Sequence, residues 1–140
     1  MLNRNQLSGD IPPELSSLTN LKYLDLSTNR FNNLIPNIGG LLKLIYLNLS
    51  NNNFSQDIPF QICNLPHLSQ LDLSCNLLEG EIPSQIGNLQ SLELLNISHN
   101  NLSGLIPTTF EECIVCQMST YPIISWRVLF PIAKHFKMLE

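Results

Sequence analysis

The sequence predicts a solenoid, with short parallel β-strands stacked along its concave face and irregular or 3₁₀ segments along its convex face. Three observations predict it. Asparagine recurs at Asn5, Asn29, Asn52, Asn76 and Asn100, in steps of 24, 23, 24 and 24. Proline keeps the same clock at Pro12, Pro36, Pro59, Pro83 and Pro107, with the same single short step. Leucines at positions one, four and six of each unit, as in Leu68, Leu71 and Leu73, supply the apolar pattern between these markers. Self-similarity at a fixed period of this length marks a repeat architecture.

Within one unit the strand comes first. Around Leu71-Asp72-Leu73 apolar and polar residues alternate, which puts the leucines on one face and their neighbours on the other. The strands stack in parallel because a long return path follows each one. The asparagine comes next, where the strand ends and the chain turns inward between apolar positions. A buried side-chain amide must find partners, and backbone groups of its own turn and the adjacent turn are within reach. Asn5, Asn29, Asn52, Asn76 and Asn100 are therefore expected to form a structural ladder.

The return path from Leu78 to Leu89 contains Gly80, Pro83 and Gly87, which disfavours a regular helix and favours turns, extended pieces and short 3₁₀ stretches. The residue missing from the short unit lies between Pro36 and Ile38, because Ile38 and Leu41 both arrive one place early. One such coil cannot bury its own leucines, so stability must come from stacking. About four full repeats and a partial first repeat are expected over residues 1–112, followed by an aberrant tail over 113–140.

Composition narrows the function classes. The chain has 140 residues, is 44% apolar and 13% charged, and carries a net charge of −4 with no basic run. That describes a folded protein and argues against a nucleic-acid surface, which needs clustered Lys and Arg. Met1 stands in mid-repeat, so no signal peptide is expected. The apolar stretch from Tyr121 to Ala133 holds Arg127 and two prolines and falls short of the roughly 20 residues a spanning helix needs.

In the tail the repeat fails. Cys113 and Cys116 occupy the sites of Leu89 and Leu92 and read as stand-ins for core leucines, with a disulfide open to them in an oxidising compartment. A zinc site needs four ligands, and no second pair has suitable spacing. Cys63 and Cys75 are expected to be free. Residues 113–140 read as a tail without selected structure; the alternative is that Pro131 opens a short helix in which Ile132, Phe136 and Leu139 share a face.

The residues also name a family. The runs LxLSxN (Leu24 to Asn29, Leu47 to Asn52, Leu71 to Asn76), LSGxIP (Leu7 to Pro12, Leu102 to Pro107) and IGNLxSL (Ile86 to Leu92) resemble the plant-specific leucine-rich repeat. The segment from Leu95 to Glu112 resembles closing repeats in the ectodomains of plant leucine-rich-repeat receptor-like kinases. The resemblance implies a leucine-rich-repeat solenoid on the extracellular face of the plasma membrane. Its implied partners are a protein or secreted peptide ligand and a co-receptor, acting in signal perception. The family also carries a cysteine-paired N-terminal cap, a membrane span and a serine/threonine kinase. No Gly-rich phosphate loop, VAIK-type lysine, HRD or DFG is present here. Asn33 and Gln56 stand where the family has the Gly of SGxIP.

Outward strand positions form columns expected to face a ligand. The third position carries Tyr23, Tyr46, Gln70 and Leu94; the fifth carries Asp25, Asn48, Asp72 and Asn96; the eighth carries Arg4, Thr28, Asn51, Cys75 and His99. Aromatics beside acids and amides suit an extended peptide or a protein surface. The serines at the seventh position read as structural. Asn48, Asn53, Asn96 and Asn101 each begin an Asn-x-Ser triplet and are glycosylation candidates in a secreted context. A catalytic role is not expected: His67, His99 and His135 lack evident nucleophile and carboxylate partners, and Asp25 and Asp72 lie two coils apart, roughly 10 Å. No cofactor or metal is expected. The alternatives to a recognition module are a secreted inhibitor of cell-wall-degrading enzymes and a truncated product without function.

Overall fold

The computed structural model describes residues 2–105, 107 and 108. The expectations for the tail over 113–140 lie outside the described residues. In chain order the described strands are β1 (Ser8–Gly9), β2 (Tyr23–Asp25), β3 (Arg30–Asn33), β4 (Tyr46–Asn48), β5 (Asn53–Gln56), β6 (Gln70–Asp72), β7 (Leu77–Leu78) and β8 (Leu94–Asn96). They form two parallel sheets. The first is ordered β2-β4-β6-β8 and the second β1-β3-β5-β7, so each of the three middle coils contributes a strand to both.

Alternation within the first-sheet strands sends one residue inward from each. Leu24, Leu47, Leu71 and Leu95 are buried in register, and Leu26, Leu49, Leu73 and Ile97 form the next buried column. These strands end one residue earlier than the Leu71-Asp72-Leu73 pattern indicates. The backbone ladder nevertheless continues, since the Leu73 N–H donates to the Asn96 carbonyl at 2.8 Å.

The return path lays further columns against these. Phe31, Phe54 and Leu78 are buried beneath the second sheet, and the Phe31 and Phe54 rings stack at 6.2 Å between centroids and 7° between planes. Ile35, Ile58 and Ile82 follow, then Ile38, Ile62 and Ile86, then Leu41, Leu65 and Leu89, all buried. The core is therefore a continuous rod of stacked apolar rows, which is how a coil too small to fold alone acquires an interior.

Opposite the first sheet, 3₁₀ turns span Pro13–Ser17, Phe60–Asn64 and Ser84–Asn88. Each follows a proline of the repeat, whose fixed φ enters the turn without strain. The unit with the missing residue has no such helix among the described residues. There Pro36 is buried, the Asn37 side chain accepts the Gly39 N–H at 3.0 Å, and a turn covers Gly39 and Gly40.

The second sheet is finer than the expected extended pieces. Its strands pair Ser8 with Arg30, Asn32 with Asn53, and Ser55 with Leu77. These strands end at or lead to a left-handed residue, at Gly9 (φ 82), Asn33 (φ 60), Gln56 (φ 65) and Gly80 (φ 73), and Gly104 (φ 81) follows the isolated bridge between Glu81 and Ser103 in the same way. The turn is thus kept in the two units that lack glycine. Asn33 gains something in exchange, because its amide donates to the Asp10 carboxylate at 2.6 Å.

Candidate functional site

The outward face of the first sheet carries the sequence-predicted columns. Register sets Tyr23 beside Tyr46, Tyr46 beside Gln70, and Gln70 beside Leu94. Neighbouring strands lie about 4.8 Å apart, so the four side chains make one continuous row. Tyr23, Gln70 and Leu94 are exposed and Tyr46 is half-buried.

The fifth-position column is also brought together, but its members are engaged locally. The Asp25 Oδ1 accepts the Ser27 N–H at 3.0 Å and the Ser27 hydroxyl at 2.7 Å. Asn48 does the same with Ser50, Asp72 with Ser74, and Asn96 with Ser98. This is a side-chain-to-backbone turn repeated in these four coils, and it gives the serines of the seventh position their purpose. Asp25 is buried, while Asn48, Asp72 and Asn96 are half-buried. The Asn48 amide also donates to the Tyr46 hydroxyl at 3.1 Å, which braces that ring. The third and eighth columns are therefore the more exposed side chains of this face.

The eighth column has a property that its residue types do not announce. Arg4, Thr28, Asn51, Cys75 and His99 all adopt left-handed backbone, with φ between 54° and 55°, and all are exposed. Asn and His visit this region more readily than most residues, but Arg, Thr and Cys do not. The amides of Arg4, Thr28, Asn51 and Cys75 stay in the ladder, as with Thr28 N–H to the Ser50 carbonyl at 2.9 Å and Cys75 N–H to Ser98 at 3.0 Å. The only trace in the sequence is the frame around them, an asparagine after all five and, for Thr28, Asn51, Cys75 and His99, an acid or amide and a serine before.

That asparagine binds adjacent coils. Asn29, Asn52 and Asn76 are buried. Each amide nitrogen donates to two carbonyls of its own turn and one of the preceding coil, and each oxygen accepts an N–H from the preceding coil. Asn100, half-buried, makes the same four bonds. Asn5, at the first coil, is exposed and bonds only within its own turn. No buried side-chain nitrogen or oxygen lacks a partner among the described residues.

Of the glycosylation candidates, Asn53 and Asn101 are exposed, whereas Asn48 and Asn96 sit half-buried in the fifth column. Cys63 and Cys75 are free thiols. Burial pushes the Cys63 thiol up to about 11, which leaves it protonated and a poor nucleophile at neutral pH. Among the described residues no cluster of three or more His, Cys, Asp or Glu is placed to hold a metal, and no helix is long and apolar enough to cross a membrane.

A family model described as the leucine-rich repeat region matches residues 3–113. The chain belongs to the leucine-rich repeat family. Comparison with curated protein sequences gives no match. Among solved structures, it is similar to the BIR3–SERK2 complex of Arabidopsis thaliana, at 39% identity and a TM-score of 0.76 over 80% of this chain and 61% of that one. It is similar to the plant peptide hormone receptor RGFR1 in complex with RGF2, at 42% identity and a TM-score of 0.76 over 79% of this chain and 18% of that one. A plant ice-binding protein is similar at 39% identity and a TM-score of 0.75, over 79% of this chain and 36% of that one. The chain therefore spans less than two thirds of each of these proteins.

Proposed function

We propose that this chain is an extracellular recognition module of the receptor-kinase ectodomain type, binding a protein or secreted peptide along the open face of β2, β4, β6 and β8 in signal perception. The observation that supports this most is the continuous row of Tyr23, Tyr46, Gln70 and Leu94, held in register by a parallel ladder. Aromatic and apolar anchors on a rigid scaffold supply contact area at low ordering cost. The left-handed eighth column adds exposed donors and acceptors beside that row. A co-receptor is a natural second partner, given the likeness to the BIR3–SERK2 complex. Recognition, not catalysis, is the role such a surface serves.

The likeness to a plant ice-binding protein supports a different reading, in which a repeating face orders water. The open row here changes chemistry from coil to coil, from tyrosine to glutamine to leucine, which suits a partner of varied chemistry better than a lattice. The test is a binding screen of the whole chain against secreted plant peptides and receptor ectodomains. A specific binder is expected whose affinity falls at least about tenfold with Tyr46→Ala and is unchanged by Phe60→Ala on the opposite side. A binder indifferent to Tyr46→Ala and Tyr23→Ala, or thermal hysteresis without any binder, contradicts the proposal.

A further inference from the structure

The four Asn-x-Ser triplets fall into two structural environments. Asn53 opens β5 and Asn101 takes the same place in the last described coil. Both belong to a column with Gln6, Arg30 and Leu77 that is exposed throughout. Neither side-chain amide is engaged; the ties are made by the backbone, Asn53 pairing with Asn32 in the second sheet and the Asn101 N–H donating to the Leu78 carbonyl at 2.8 Å. A substituent on either amide nitrogen displaces nothing in the fold.

Asn48 and Asn96 stand differently. Register places Asn48 between Asp25 and Asp72, with strands about 4.8 Å away on either side. Its oxygen holds the Ser50 N–H at 2.9 Å and the Ser50 hydroxyl at 2.7 Å, and its nitrogen donates to the Tyr46 hydroxyl at 3.1 Å. Asn96 is paired with Asp72 and holds the Ser98 N–H at 3.2 Å and its hydroxyl at 2.8 Å. A sugar ring is wider than the strand spacing. At Asn48 it must part the neighbouring coils and push Tyr46 aside, and at Asn96 it must find room beside the strand of Asp72, on a half-buried amide whose orientation is fixed by the Ser98 turn at its oxygen.

We propose that the folded, secreted protein carries N-linked glycans at Asn53 and Asn101 and none at Asn48 or Asn96, so that sugar covers the rim at the second sheet and leaves the first sheet open. This rests on the extracellular reading above. The transfer forms a bond from the asparagine Nδ2 to the anomeric carbon of an oligosaccharide carried on a lipid diphosphate. The sugar–phosphate bond breaks, the lipid diphosphate leaves, and the amide gives up one proton. Chains modified at Asn48 or Asn96 pack this face poorly and are retained in the cell.

The test expresses the whole chain behind a heterologous secretion signal in eukaryotic cells. Enzymatic release of the sugar in heavy-oxygen water converts each occupied asparagine to a tagged aspartate, and fragment spectra assign the tag in secreted protein and in lysate. Tags at Asn53 and Asn101, with Asn48 and Asn96 untagged in the secreted pool, are expected. Asn53→Gln combined with Asn101→Gln is expected to abolish the electrophoretic shift of the secreted pool. A tag at Asn48 or Asn96 in secreted protein, an untagged Asn53 or Asn101 in both pools, or a residual shift in the double variant overturns the proposal. Bare acceptors leave the recognition reading standing, whereas a binder indifferent to Tyr46→Ala removes that reading and leaves the sugar map intact.

Discussion

A primary amide offers two N–H donors and an oxygen that accepts twice, and Asn52 commits both ends to the backbone. Its nitrogen reaches Leu26, Leu49 and Ser50 carbonyls at 3.0, 3.2 and 3.2 Å, and its oxygen takes the Phe31 N–H at 3.1 Å. Two of these partners belong to the preceding coil, so loss of the side chain leaves buried groups of a neighbour unpaired, at about 1–3 kcal/mol each. Backbone conformation is the other quantity decided residue by residue. Gln56 holds φ 65 where other coils place glycine. An L-residue in that region costs roughly 1–2 kcal/mol, partly offset by the greater chain entropy glycine loses. Gln56→Gly is expected to raise stability by about 0.5–1 kcal/mol in urea unfolding. Asn33→Gly is expected to gain less, since it forfeits the bond to Asp10 at 2.6 Å. A lowered urea midpoint for Gln56→Gly sinks this account of the turn.

At the scale of one coil, the short unit shows how a deletion is absorbed. Without a 3₁₀ turn after Pro36, the backbone runs close to the preceding coil, and a Cβ on Gly40 would sit 2.8 Å from the Ser16 carbonyl oxygen. A backbone atom cannot swing away as a side chain can. Gly40→Ala is therefore expected to cost about 1–3 kcal/mol by forcing the two coils apart, read as a drop in unfolding midpoint; a neutral result contradicts the close approach.

The sequence located this deletion between Pro36 and Ile38 because two residue types lost step together. The columns at positions three, five and eight were equally legible, since a fixed period turns sequence spacing directly into register. Other features were not. The second sheet is built from strands of two to four residues, too short to show alternation among glycines and prolines. The fifth column reads in sequence as free acids and amides, because nothing in the spacing of Asp72 and Ser74 reveals that the serine binds the carboxylate. The left-handed backbone at Thr28 and Cys75 is imposed by the closing of the coil rather than by either residue's preference.

For the molecule as a whole, the controlling fact is that every coil borrows its interior from its neighbours. The same core position is fully buried at Leu78 and 39% exposed at Leu7 in the first coil. Leu78→Ala is expected to cost about 2–5 kcal/mol, and Leu7→Ala well under half of that, when both are followed by urea unfolding. Equal costs would mean that burial does not follow position along the rod. A surface built on such a rod inherits its rigidity from the interior, so the row from Tyr23 to Leu94 is only as well placed as the rungs beneath it. The run Asn51-Asn52-Asn53 puts the rung and its control side by side, with Asn52 buried between two exposed asparagines. Side-chain amide hydrogen exchange, followed by NMR on the whole chain, reads all three together. The Asn52 amide protons, with those of Asn29 and Asn76, are expected to exchange far more slowly than those of Asn53; exchange at Asn52 as fast as at Asn53 contradicts the buried ladder and the stacked coils that depend on it.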